Sequence, residues 1–285
     1  MREVRYSVSV FILSALMLAV SCGKTEVPTP DVQAVTAERI TLDPNDGIWT
    51  NVPVHASRLI LQDLVEPRLM EASTQEVRVK AITNGGQIAF RLEWADPSQN
   101  DLPSPKMFID AAAVQLPTKI EESAPAPQMG EVGKIVQISY WRADWQAIVD
   151  GRSDEITALH PNASVDHYPF QAKPLDKDPE AKARAEFRYS PARALANSRS
   201  GPREKPVEDL IAAGPGTLTP NPAGASNGKG IRTADGWAIV LSRPVPEGLS
   251  PAQPTQVAFA VWEGSHGETG ARKMRTGWVN LLMKQ

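Results

Sequence analysis

One cysteine, four histidines and seven tryptophans are the most chemically distinctive side chains in this 285-residue sequence. A lone thiol, Cys22, rules out a disulfide framework, a C-x-x-C-H haem attachment, a cysteine-ligated zinc site and an iron–sulfur cluster. Any cofactor must be held without cysteine. His55 follows Pro53-Val54 near the first expected strand, and His160 and His167 sit in a polar stretch that reads as exposed. His266 lies in the glycine-bracketed loop Gly264-Ser265-His266-Gly267 and is the best placed to ligate a metal. Each of the four nonetheless reads first as a surface or satisfied polar residue. The carboxylates are scattered, and no G-x-S-x-G, H-E-x-x-H, Walker loop or G-x-G-x-x-G occurs, so a hydrolase has no nucleophile–base pair to recommend it. Taken alone, Met129 in its Pro125-Ala126-Pro127-Gln128-Met129-Gly130 loop reads as a gap filler. Lys273, in Gly270-Ala271-Arg272-Lys273-Met274-Arg275, reads as part of a solvated turn. Trp49, Trp94, Trp141, Trp145, Trp237, Trp262 and Trp278 read mainly as core, with a subset able to line a flat apolar pocket or a sugar-stacking platform.

The N-terminus gives Cys22 a meaning. Arg2 and Arg5 precede an apolar run, Val8 to Val20, broken only by Ser9 and Ser14, that ends in Leu18-Ala19-Val20-Ser21-Cys22. A basic start, a short apolar stretch and small residues before a cut site describe a secretory signal. The run falls short of the roughly 20 residues that a membrane-spanning helix needs. Cysteine directly after Ala-Val-Ser resembles a bacterial lipoprotein signal, although Ala19 stands where leucine is favoured. The expected organisation is a signal over 1–21, lipidation at Cys22, a proline-bearing tether over 22–40 and one domain over 41–285. Localisation is expected to be periplasmic, on a lipid anchor. A net charge of -3 argues against a nucleic-acid partner.

The elements that must position any site show period-two alternation. Ile88, Phe90, Leu92 and Trp94 fall on one face, with Arg91 and Glu93 on the other. Val77, Val79 and Ala81 alternate likewise, and Asn84-Gly85-Gly86 between the two runs predicts a hairpin with one wet face. Residues 134–142, 236–243 and 256–262 are apolar on both faces, which predicts central strands covered on both sides. With 25 prolines and several short strands, the fold class is mainly β, an antiparallel β-sandwich with a few short helices and long loops. Residues 178–198 read as one or two surface helices around Pro191, and 201–230 as a long loop.

Taken in order, several stretches resemble one family. They are Asp46-Gly47-Ile48-Trp49, Leu92-Glu93-Trp94-Ala95-Asp96, the run from Phe108 to Pro117, Gln128-Met129-Gly130 and Tyr140-Trp141-Arg142-Ala143. Gly214 to Thr219, Gly236 to Val240, Ala258 to Gly264 and Gly270 to Lys273 with Trp278 complete the set. The sequence resembles the haem-binding γ subunits of periplasmic molybdenum enzymes related to dimethyl-sulfoxide reductase, of which ethylbenzene dehydrogenase is the best known. Gly214-Pro215-Gly216 departs from that family's phenylalanine-bearing Gly-Phe-Gly. The resemblance implies a β-sandwich holding one non-covalent b-type haem between Met129 and Lys273, with Arg272 and Arg275 near the propionates. It implies a non-catalytic electron-transfer subunit, since two protein ligands leave the iron no open position. Its partners would be a molybdopterin-containing catalytic subunit, an iron–sulfur subunit and a soluble cytochrome or quinone-linked redox partner. The alternative is a carbohydrate- or small-ligand-binding β-sandwich lipoprotein.

Overall fold

The computed structural model describes residues 27–102, 106–153, 159–162, 172–195, 197–199 and 203–284. The expected signal, Cys22 and His167 lie outside these residues. In chain order the first strands are β1 (Val32–Thr36), β2 (His55–Arg58), β3 (Ile60–Leu61), β4 (Glu76–Thr83), β5 (Gln87–Ala95), β6 (Ala111–Pro117) and β7 (Val136–Arg142). After the short helix α1 (Ala143–Val149) come β8 (Val207–Ala212), β9 (Thr219–Pro220), β10 (Asn227–Arg232) and β11 (Gly236–Pro244). The last are β12 (Thr255–Trp262), β13 (Met274–Arg275) and β14 (Val279–Lys284). Residues 178–198 carry the expected exposed helices, Pro179–Tyr189 and Pro191–Ala194, the first capped by the Asp178 carboxylate accepting from the Ala181 N–H.

The strands hydrogen-bond along one path, β10-β11-β5-β4-β1-β14-β12-β6-β7-β8-β9. The path doubles back at β12, whose first residues pair with β14 while Ala258–Trp262 pair with β6. Two layers result, as the sequence predicts, and their facing sides make the main core. Phe90 meets Phe259 edge-on at 6.2 Å, and Trp141 sits between Trp94 (6.3 Å) and Trp237 (5.2 Å). Fully burying side chains of this size stabilises by roughly 1.5–3 kcal/mol each. The predicted hairpin is β4–β5, where the Asn84 side-chain oxygen accepts from the Gly86 and Gln87 N–H groups and Gly85 takes φ 88°.

Two expectations change. β1 lies inside the stretch read as tether, 22–40: Val32 and Ala34 are fully buried, and the strand runs parallel to β14 and β4 in an otherwise antiparallel sheet. Its alternation Val32-Gln33-Ala34 supplies an inward apolar face, so the folded unit starts before residue 41. The stretch 201–230 is not a long loop, because it contains β8, β9 and β10. β10 hides its nature by carrying glycine where strands favour bulk. A Cβ on Gly230 would strike the Trp141 ring, and one on Gly228 would press on Val207 and the Val240 carbonyl.

Candidate functional site

The outer face of β6, β7, β8 and β12 carries a second apolar cluster, comprising Ala111, Ala113, Val136, Ile138, Leu210, Ala212, Ala260 and Trp262. Strand register sets these residues in rows. One row crosses Arg275, Ala260, Ala113, Tyr140 and Glu208, and the next crosses Ala258, Gln115, Ile138 and Leu210. Where Ala260, Ala113 and Ala258 adjoin, the small side chains leave a depression. Above it lies a cavity of about 450 Å³, within the span typical of cofactor and small-molecule sites.

Met129 and Lys273, 144 positions apart by number (273 − 129), both line this cavity. Met129 belongs to the β6–β7 connection and has φ 69°, a left-handed conformation that costs a side-chain-bearing residue about 1–3 kcal/mol. Gly130 follows at φ 81°, and a Cβ there would lie only 2.8 Å from the Lys134 carbonyl oxygen. Donors pin the loop carbonyls one by one. The Trp278 indole N–H donates to Pro125 (2.7 Å), Gln115 Nε2 to Pro127 (3.1 Å), and the Gly130 and Gly214 N–H groups to Ala126 and Met129 (2.9 Å each). At roughly 0.5–1.5 kcal/mol net per bond, these contacts offset the strain of the turn.

Lys273 is held in the same way. Gln62 is buried; its backbone N–H donates to the Lys273 carbonyl (3.1 Å) and its Nε2 to that of Ala271 (3.2 Å), while the Trp262 indole donates to Gly270 (3.0 Å). Among the described residues the Lys273 ammonium has neither a hydrogen bond nor an ion pair; the Trp262 ring centre lies 5.0 Å from Nζ. Burial, assisted by the nearby Arg275 charge, pushes this amine down to about 8. Arg275 also lines the cavity, is buried, and leaves its Nε without a partner.

Arg272 is not brought to the cavity. Extended backbone alternates sides, so Lys273 and Arg275 share the cavity face, Met274 enters the main core, and the Arg272 guanidinium lies 5.9 Å from the Phe108 ring. His266 also lies away: its ring is more than half exposed and its Nδ1 sits 3.6 Å from a Glu263 carboxylate oxygen. His55 is a satisfied core residue, bonded to the Thr29 carbonyl and the Ser57 hydroxyl, and His160 is half-buried. No group of three His, Asp or Glu among the described residues is arranged to hold a metal ion. Six of the seven tryptophans are buried and Trp278 is half-buried, so they form no open platform; Trp262 lines the cavity. Sequence reasoning missed Gln62, which follows the short apolar strand β3, and Gln115, a polar residue interrupting apolar β6.

A family model described as ethylbenzene dehydrogenase matches residues 46–274. Over 263 residues the chain is 24% identical to a protein of Haloferax mediterranei provisionally named respiratory nitrate reductase heme subunit, covering 90% of this chain and 72% of that protein. It is 25% identical to the chlorate reductase subunit gamma of Ideonella dechloratans over 247 residues, 84% of this chain and 78% of that one. A family 9 carbohydrate-binding module from Caldicellulosiruptor kristjanssonii, solved with cellotriose, superposes with a TM-score of 0.43 at 11% identity, covering 89% of this chain and 93% of that one. A superposition that loose carries no argument about sugars.

Proposed function

This chain belongs to the ethylbenzene dehydrogenase family, and on that premise we propose that it is a non-catalytic electron-transfer subunit holding one b-type haem. The residues present suit such a group. One observation carries the reading: Met129 and Lys273, held by separate pinned loops, line a single apolar cavity floored by alanine. A bound haem supplies a one-electron iron couple. Met129 offers a neutral thioether, a soft donor that favours the reduced metal. Lys273 can ligate only as free amine, and burial has already moved it toward that form. Arg275 assists by repelling a proton from the amine, while the alanine floor and Trp262 exclude water. Met129 and Lys273 would together hold such a haem, which would then supply electron relay and leave substrate chemistry to the partner subunits.

Those partners, by kinship with named nitrate and chlorate reductase subunits, are a molybdopterin-containing catalytic subunit and an iron–sulfur subunit, with a soluble cytochrome or quinone-linked carrier beyond. The N-terminal pattern supports export to the periplasm and attachment to a membrane through lipidated Cys22. Adding haemin to the purified protein tests the cofactor assignment. The expected result is a sharpened Soret band and, on reduction, distinct α and β bands from one haem per chain; a spectrum that stays that of free haemin refutes it.

A further inference from the structure

The cavity wall farthest across the sheet from Arg275 carries two cations with no role so far. Arg142 ends β7, and Arg199 follows the exposed helices; both line the cavity. Each is held by a carboxylate along one edge only. Arg142 donates from Nε (2.9 Å) and Nη2 (2.7 Å) to Asp144. Arg199 donates from Nε (2.9 Å) and Nη2 (2.7 Å) to buried Glu208. The Nη1 group of each is left without a protein acceptor among the described residues. A third guanidinium, Arg203, stacks 3.7 Å from the Trp145 ring centre and lies within the field of the same four charges. Three cations face two anions here, which leaves this wall with an excess of one positive charge.

The opposite wall offers less. Arg272 turns away, and Lys273 must surrender its charge to act as a ligand, so Arg275 is alone there and Asp63 already acts on it. A ligand with two carboxylates is better met by two fixed forks than by one guanidinium. We propose that Arg142 and Arg199 form the carboxylate-binding subsite of the cavity, receiving the two haem propionates on their free Nη1 edges. Asp144 and Glu208 act as positioning residues that keep both forks aimed. This assignment rests on the haem reading above.

Paired titrations of the full chain with haemin and with haemin dimethyl ester, whose propionates are masked, separate the two ideas. Wild-type protein should prefer haemin over the ester by about tenfold or more, the scale of a charge-assisted hydrogen bond. Arg142→Gln/Arg199→Gln should lose that preference, bind the ester as wild type does, and keep a low-spin spectrum. Arg275→Gln should retain the preference. The assignment is overturned if the double variant still prefers haemin, if it weakens both porphyrins equally, or if the preference disappears in Arg275→Gln. Wild-type protein that binds neither porphyrin would overturn the haem reading itself, and this subsite with it.

Discussion

β11 and β12 are apolar on both faces, yet their outer faces meet different fates. Inward, Ile239 and Leu241 of β11 join Val257, Phe259 and Val261 of β12 in the same core. Outward, Val240 of β11 is covered by the chain itself, through Trp49 and Val52 together with Ile82 and Ala89. Ala258, Ala260 and Trp262 of β12 instead face the cavity. An apolar face has to be shielded from water; both are buried, but only the outer face of β12 borders the cavity. The residue sizes agree: where the chain supplies its own cover the packing is large against small, and where the cavity lies three alanines meet. The second face of β12 therefore leaves room for a ligand.

Removing the cover from β11 should have the largest effect. Trp49→Ala deletes a buried indole and its N–H bond to the Asp43 carbonyl. It should cost roughly 3–5 kcal/mol in urea unfolding; a loss below about 1 kcal/mol would show that the outer face of β11 needs no lid. Gly130→Ala should cost about 1–3 kcal/mol because the added Cβ meets the Lys134 and Ala212 carbonyls. It should also shift Met129 and reduce the low-spin fraction of reconstituted haem, so an unchanged spectrum would dismiss the pinned turn. Ala260→Leu fills the floor of the cavity on β12. Haem uptake should fall steeply while apoprotein stability moves by about 1 kcal/mol or less; a comparably large loss of stability would mean that this face is ordinary core.

A pH dependence centres on Asp110, which joins the ends of the two strands. Its carboxylate accepts from the Trp237 indole of β11, from Gly264 just past β12, and from Asn100. Burial outweighs these donors and pushes the carboxyl up to about 7, with Asp96 and Glu268 moved in the same direction. A folded-state value raised above the unfolded one gives stability that is full below about pH 4 and is lost as pH rises through 7. The urea midpoint should therefore fall between pH 5 and pH 8, and Asp110→Asn should flatten that slope. A midpoint that instead climbs across this range would reverse the sign of the argument.

Much of the fold was legible because alternation and turn chemistry agree, as in the hairpin around Asn84-Gly85-Gly86. β10 was not, since Gly230 answers to Trp141 and Gly228 to Val207 and Val240 on other strands, and no local pattern records that. β1 was obscured by its place next to the N-terminal signal and proline-bearing stretch. The site divides in the same way. Met129 and Lys273 were pointed to by family resemblance and by no spacing rule, because a positive φ and the desolvation of one lysine arise only in three dimensions. That Lys273 and Arg275 share a side while Arg272 does not follows from period-two geometry, once the stretch is known to be extended. Gln115 is a polar break in apolar β6 whose partner, Pro127, lies in the following connection, and Gln62, just past β3, reaches the distant Ala271 carbonyl.

The central claim is that Met129 and Lys273 hold one haem iron between them. Its most direct test compares the reduced absorption spectra of haemin-reconstituted wild type, Met129→Ala, Lys273→Ala and His266→Ala. Each of the first two variants should lose the low-spin α and β bands or fail to retain haem, while His266→Ala matches wild type. If Met129→Ala and Lys273→Ala keep the wild-type spectrum and His266→Ala abolishes it, the iron is held by histidine and the account is wrong.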